Sequence, residues 1–255
     1  MSSCRGPAEA ESPVAQRDCS DVPIEVTVVV AAFNELQSVE LVIEGVRAEL
    51  TRLAIPGEIL VIDDGSTDGT QAIVSRLAST LPVVRCIRHE SNCGLGAVYR
   101  TGLQNASGRF VTFMPADGQF PASNLAILLS AARDQDAVFG YLETRRDGMV
   151  AALLSLVERA MYRLVVGPMP RFQGLLIIRT DVLAGIRLTS TGRGWGIIME
   201  LVARLYQGGY RTTSVLTEVV PREHGRSKVR NLRTITANLR DLSLMRGNLP
   251  RSAHE

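Results

Sequence analysis

From Glu25 onward, short β-branched runs alternate with stretches whose apolar residues return every three or four positions, and this alternation constrains the chain more than any other feature. Strand and helix repeated in that order build βαβ units, hence a largely parallel sheet covered by helices. Strands are expected at Glu25–Ala32, Glu58–Asp63, Val83–His89, Arg109–Met114 and Ala137–Tyr141, with helices at Glu35–Leu53, Gly69–Leu81, Leu95–Ala106 and Pro121–Arg133 between them. Asn34 with Gln37, and Asp68 with Gln71, have the spacing of capping boxes. After Tyr141 the pattern loosens. A helix is expected near Val150–Val166, a strand at Leu175–Arg179, a helix at Trp195–Gln207 and a strand at Tyr210–Val220. In the last segment, Val229–Arg246, Leu232, Ile235, Leu239 and Leu242 share one face. The expected division is a disordered tail over 1–23, one α/β domain over 24–228, and an amphipathic helix and tail over 229–255.

Several function classes are excluded. The 28 basic residues are nearly balanced by 26 acidic ones, giving a formal charge of +2, and the aromatic residues do not interleave with a basic stripe, so a nucleic-acid partner is not expected. The first 23 residues have no apolar core of a signal peptide, and no stretch approaches 18 uncharged apolar residues, so no membrane span is expected. Cys4, Cys19, Cys86 and Cys93 lack the spacing of a disulfide framework, which points to a reducing, cytoplasmic setting. Cys86, His89 and Cys93 lie close together, but with no fourth ligand nearby zinc is not favoured.

In open α/β sheets ligands gather where strands end, and here the exits are small and acidic. The first strand leads into A-A-F-N-E (Ala31–Glu35), the second into D-D-G-S-T-D-G-T (Asp63–Thr70) and the fourth into P-A-D-G-Q (Pro115–Gln119). The second motif is rich in turn formers and could be a plain turn. Alternatively, two carboxylates in succession after a buried strand are costly unless a ligand or cation compensates them.

Taken together with N-x-G-L-G-A between Asn92 and Ala97 and the late G-R-S-K (Gly225–Lys228), these motifs resemble the family 2 glycosyltransferases, and within them the polyprenyl-phosphate sugar synthases, over roughly Val26 to Lys228. The resemblance implies an α/β GT-A (Rossmann-like) fold, transfer of a sugar with inversion from a UDP- or GDP-linked donor, and Mg²⁺ or Mn²⁺ on the diphosphate. Carried over position by position, it places Ala31, Phe33 and Glu35 against base and ribose. Asp64 would read a ring nitrogen with Asp63 in support, and Gly94 would sit in a loop of close backbone approach. Asp117 and Gln119 would hold the metal, although Pro115 stands where the family usually has the first aspartate of D-x-D. Arg145, Arg146, Arg226, Ser227 and Lys228, the last being the only lysine, would contact acceptor or diphosphate. Asp117 and Glu200 are the catalytic candidates, Glu200 as general base if the acceptor is a hydroxyl. A polyprenyl phosphate is the leading acceptor; the last helix either packs on the core or, with its basic residues, makes peripheral membrane contact. A soluble hydroxyl acceptor and a non-catalytic nucleotide-sugar-binding role are the alternatives.

Overall fold

A computed structural model describes residues 23–142 and 167–221. Seven strands, β1 (Val26–Ala32), β2 (Gly57–Asp63), β3 (Val84–Arg88), β4 (Phe110–Pro115), β5 (Ala137–Tyr141), β6 (Leu176–Arg179) and β7 (Thr212–Leu216), form one sheet in the order β3-β2-β1-β4-β6-β5-β7. The first four positions are parallel, β6 runs antiparallel to both β4 and β5, and β7 is parallel to β5. Helices α1 (Val39–Leu53), α2 (Thr70–Thr80), α3 (Leu95–Asn105) and α4 (Asn124–Ala132) follow the first four strands; short α5 (Thr180–Leu183) and long α6 (Gly196–Gln207) lie between β6 and β7.

Both faces of the sheet are covered, which is why strands such as VTVVVAA are almost wholly apolar, with only Thr27 polar, rather than alternating. Successive side chains divide between two cores. Val28, Val30, Ile59, Val61 and Met114 pack with α1, α2 and α4. Val29, Leu60, Ile62, Phe113 and Phe139 pack with α3 and α6 on the other side. Gly102 lets α3 settle onto the sheet, since a Cβ there would lie 2.8 Å from a methyl of Val29 and 2.9 Å from the Phe113 ring. At the amino ends of the strands, buried Glu58 accepts hydrogen bonds from Thr27 (2.7 Å), the Ser107 backbone (2.8 Å) and Arg85 (2.7 Å), tying β1, β2, β3 and the segment after α3 together.

The five amino-terminal strands match the expected bounds to within a residue. Helix α1, however, starts at Val39, not Glu35, and Asn34 does not cap it. Instead Asn34 adopts φ 53°, and its side-chain oxygen accepts the Thr67 N–H at 2.8 Å while its own N–H donates to Ser66 Oγ at 2.9 Å. Asp68 does serve the start of α2, but by bonding the N–H (3.0 Å) and hydroxyl (2.6 Å) of Thr70 rather than by pairing with Gln71. The strand expected over Tyr210–Val220 is restricted to Thr212–Leu216. The tail, the helix near Val150–Val166 and the segment Val229–Arg246 lie outside the described residues.

Candidate active site

The register of the sheet sets the site. Ala32 of β1 pairs with Asp63 of β2, and Ala31 pairs with Pro115 of β4, so the acidic exit of β2 and the Pro115–Gln119 turn flank the Phe33–Glu35 turn. The three turns are joined. Glu35 N–H donates to Thr70 Oγ1 (2.9 Å), Leu36 N–H to Asp68 (3.1 Å), and Ala116 N–H to the Ala31 carbonyl (2.9 Å).

Asp63 is wholly buried. One of its oxygens accepts the Ser66 N–H at 3.0 Å; the other, Oδ2, has no hydrogen-bond partner, with Arg88 Nε 3.4 Å away as compensating charge. Asp64, 3% exposed, is the opposite case. Its Oδ1 accepts from His89 Nδ1 (2.7 Å) and the Cys93 N–H (2.9 Å), and its Oδ2 from Asn92 Nδ2 (2.8 Å) and the Gly94 N–H (2.8 Å). Four donors fill the acceptor capacity of a carboxylate. The expected contact to a base nitrogen would therefore have to displace a bond already made, and what Asp64 does in this geometry is shape the 91–94 loop.

That loop needs its glycines, but for contacts within the protein. Gly94 has φ +88°, and a Cβ on it would lie 2.6 Å from the Arg193 carbonyl oxygen; one on Gly96 would lie 2.1 Å from that of Gly192. The close backbone approach expected at Gly94 is thus to the 189–195 segment.

Asp117 and Gln119 lie on one turn, both half-buried, with the Gln119 N–H donating to Asp117 Oδ1 at 3.1 Å and Gly118 at φ +73° between them. A carboxylate and an amide oxygen suit Mg²⁺ or Mn²⁺, which prefer oxygen and retain water. A second group, Asp64, His89 and Cys93, places three possible ligand atoms within 4.8 Å of one another. Its nitrogen and thiol donors are less suited to those ions, and His89 already bonds Asp64 through Nδ1 and Thr101 through Nε2 (2.9 Å). A mostly apolar cavity of about 220 Å³ adjoins Asp117, lined also by Val42, Met114 and Phe120. A larger, shallower concavity lies by Pro56 and Pro82 at the other end of the strands, far from the acidic exits.

The structure gives Glu200, the candidate general base, a structural duty instead. Its carboxylate, 1% exposed, accepts from the backbone N–H groups of Thr189 (2.9 Å) and Ser190 (2.7 Å), the Thr189 hydroxyl (2.8 Å) and Arg204 (2.8 Å). Burial pushes its pKa up, but these donors outweigh burial and hold it below the ordinary value of 4.5. A carboxylate whose acceptor sites are filled and whose pKa is lowered is a poor proton acceptor; Glu200 is the anchor of the 189–190 backbone. Helical periodicity could place it on α6 but could not reveal donors arriving from outside the helix.

Glu58 is depressed in the same way, burial being outweighed by Thr27, Arg85 and Ser107. The stabilisation from both carboxylates is complete above the unfolded-state value near 4.5 and disappears as pH falls through the lower folded values. Urea midpoints are therefore expected to fall steeply below about pH 4.5, and Glu200→Gln to flatten that dependence. An equally steep profile in the variant would contradict the assignment.

Sequence reasoning missed Arg193, which donates from one guanidinium nitrogen to the backbone oxygen (2.6 Å) and side-chain oxygen (2.7 Å) of Asn92. No local pattern marks it; its partner is 101 residues away. Arg145, Arg146, Arg226, Ser227 and Lys228 lie outside the described residues. Among those described, no helix is long and apolar enough to cross a membrane.

The model of the family described as Glycosyl transferase family 2 matches residues 27–182. The chain is 32% identical over 132 residues to the dodecaprenyl-phosphate galacturonate synthase of Rhizobium johnstonii, a match covering 49% of this chain and 38% of that protein. It is 29% identical over 222 residues to the undecaprenyl-phosphate mannosyltransferase of Micrococcus luteus, covering 81% of this chain and 88% of the relative. Among solved structures, glucosyl-3-phosphoglycerate synthase from Mycobacterium tuberculosis in complex with Mg²⁺ and uridine diphosphate superposes with a TM-score of 0.63 at 21% identity, over 89% of this chain and 81% of that one. At that identity the likeness speaks for the GT-A-like fold alone.

Proposed function

The chain belongs to glycosyl transferase family 2, and on that footing we propose that it transfers a sugar from a nucleoside diphosphate donor to a polyprenyl phosphate. The observation that carries the proposal is the register that sets the β2 exit and the Asp117 turn on either side of the Phe33–Glu35 turn. A donor laid across the three exits has Ala31, Phe33 and Glu35 beneath its nucleoside, Asp63 and the Asp64-organised loop at its base, and Asp117 beside its diphosphate. Gly94 contributes through its backbone, by holding that loop in shape.

Asp117 and Gln119 would hold Mg²⁺ or Mn²⁺ through oxygen, and the ion would neutralise charge on the departing diphosphate. With Pro115 in place of a first aspartate, Asp117 and Gln119 would be the ligands from this turn, and phosphate oxygens and water would have to supply the rest. The acceptor oxygen attacks the anomeric carbon from the face opposite the diphosphate, so the configuration inverts. Loss of Glu200 as a base favours a phosphate acceptor over a soluble hydroxyl, because a phosphate oxygen is already anionic and needs only to be positioned. The polyprenyl-phosphate relatives support the same choice. Arg145, Arg146, Arg226, Ser227 and Lys228 are proposed as phosphate contacts, and a lipid acceptor brings the protein to a membrane surface.

Calorimetric titration with UDP and GDP, each with and without Mn²⁺, tests the donor half. One nucleotide is expected to bind, more tightly with the ion; failure of both would contradict the proposal. Pro115→Asp, which adds a carboxylate two residues before Asp117, is expected to raise Mn²⁺ affinity in the same titration by about tenfold or more, the scale of 1.4 kcal/mol from one charged ligand. No gain would mean that position 115 faces away from the ion.

A further inference from the structure

Arg193 joins two segments that otherwise belong to different halves of the sheet. Asn92 is gripped from both sides, its amide nitrogen donating to Asp64 at 2.8 Å and its two oxygens accepting from Arg193 at 2.6 and 2.7 Å. The backbone repeats the link, with the Gly96 N–H donating to the Arg193 carbonyl at 3.1 Å. Behind Arg193 the chain is fixed: Glu200 holds the N–H groups of Thr189 and Ser190, and Arg100 from α3 donates to the Ser190 carbonyl at 3.0 Å. Yet the Arg193 side chain is exposed, and exposed polar contacts contribute little to folding stability. A long side chain ordered on two oxygens of the loop that borders the β2 exit is better accounted for by what it positions.

We propose that Arg193 is a positioning residue for donor binding: it clasps the 91–94 loop to the 189–195 segment anchored by Glu200, and so fixes the backbone that borders the nucleotide. The inference rests on the donor reading above and extends it to a residue on the far half of the sheet. Arg193 acts through Asn92 and needs no contact with the ligand. Removing its donors leaves the loop held from the Asp64 side alone, and the nucleotide must then complete its ordering on binding.

The test is the affinity of the full chain for UDP and GDP, measured with Mn²⁺ by calorimetry for the wild type, Arg193→Met and Arg193→Lys. Met keeps the apolar stem and removes the donors; Lys restores a donor that can reach the same oxygens. The expected result is binding about tenfold weaker in Arg193→Met, equivalent to about 1.4 kcal/mol, with partial recovery in Arg193→Lys. Melting temperatures should agree. Trp195, the only tryptophan of the chain, is the residue before α6, with its ring 6.2 Å from Tyr99, and its emission in the nucleotide-free protein should be unchanged if the segment keeps its fold. Unchanged affinity in Arg193→Met overturns the proposal, as does a loss that accompanies a lower melting temperature or shifted Trp195 emission and is not recovered by Lys. Should the wild type bind neither nucleotide, the donor reading itself fails and takes this one with it, a result distinct from wild-type binding that the variant retains.

Discussion

Glu200→Ala is expected to destabilise the protein by about 3–5 kcal/mol, the cost of stripping one partner from a buried charged cluster. The variant leaves the Thr189 and Ser190 N–H groups and the Arg204 guanidinium without the carboxylate that now receives them. In a chain of this size that is a fall of roughly 10 °C in melting temperature. Glu200→Gln keeps the shape and two acceptor lone pairs, so it should retain part of the stability and, in folded protein, most of the turnover. This separates anchor from base. Loss of a general base would cost about 10²–10⁴-fold in turnover while leaving the melting temperature of the Gln variant near wild type. Scanning calorimetry and initial rates on the two variants give the answer, and an inactive, fully stable Glu200→Gln would contradict the structural role.

Asp117→Ala is expected to have the largest effect on chemistry. Asp117 is the carboxylate at the β4 exit, and with Pro115 ahead of it no neighbouring aspartate on that turn can substitute. If it holds the ion at the diphosphate, its loss removes several kcal/mol of charge stabilisation in the transition state, about 10³-fold in rate. The Mn²⁺-dependent part of nucleotide affinity should vanish together with the rate. Nucleotide affinity that still rises with Mn²⁺ in Asp117→Ala would move the ion to other ligands.

Which parts of this architecture could be read from the sequence follows from the range of the interactions that create them. The strands β1, β2, β4 and β5 are nearly continuous apolar runs, broken by Thr27, Thr112 and the acidic ends of β2, and strand propensity with burial on both faces is written in consecutive residues. The antiparallel insertion of β6 between β4 and β5 is not, because it depends on which edge a returning chain finds. The start of α1 is not legible locally because Asn34 has a partner, Thr67, 33 residues away that no capping pattern includes.

The site divides in the same way. Its acidic strand exits were visible as motifs, and the structure does bring Asp63, Asp64 and Asp117 to neighbouring turns. The duties of the individual carboxylates were not visible. Asp63 and Asp64 are adjacent in sequence, yet one has an oxygen without a donor and the other has four donors, all from His89 and the 92–94 loop. Glu200 looked like a candidate base because its donors, apart from Arg204 on the same helix, come from residues 189 and 190, ten or eleven positions back. Residue type announces chemistry, whereas availability for that chemistry depends on which donors the fold delivers.

Transfer to a lipid phosphate is open to one direct assay. The full chain is incubated with Mn²⁺, a UDP- or GDP-linked sugar labelled in the sugar, and vesicles carrying either a polyprenyl phosphate or the corresponding polyprenol. The predicted result is label moving into the lipid phase in a mild-acid-labile phosphate linkage, only with the phosphate, and abolished in Asp117→Ala. Equal transfer to the polyprenol, or label released to water with none in the lipid phase for any donor, would contradict it.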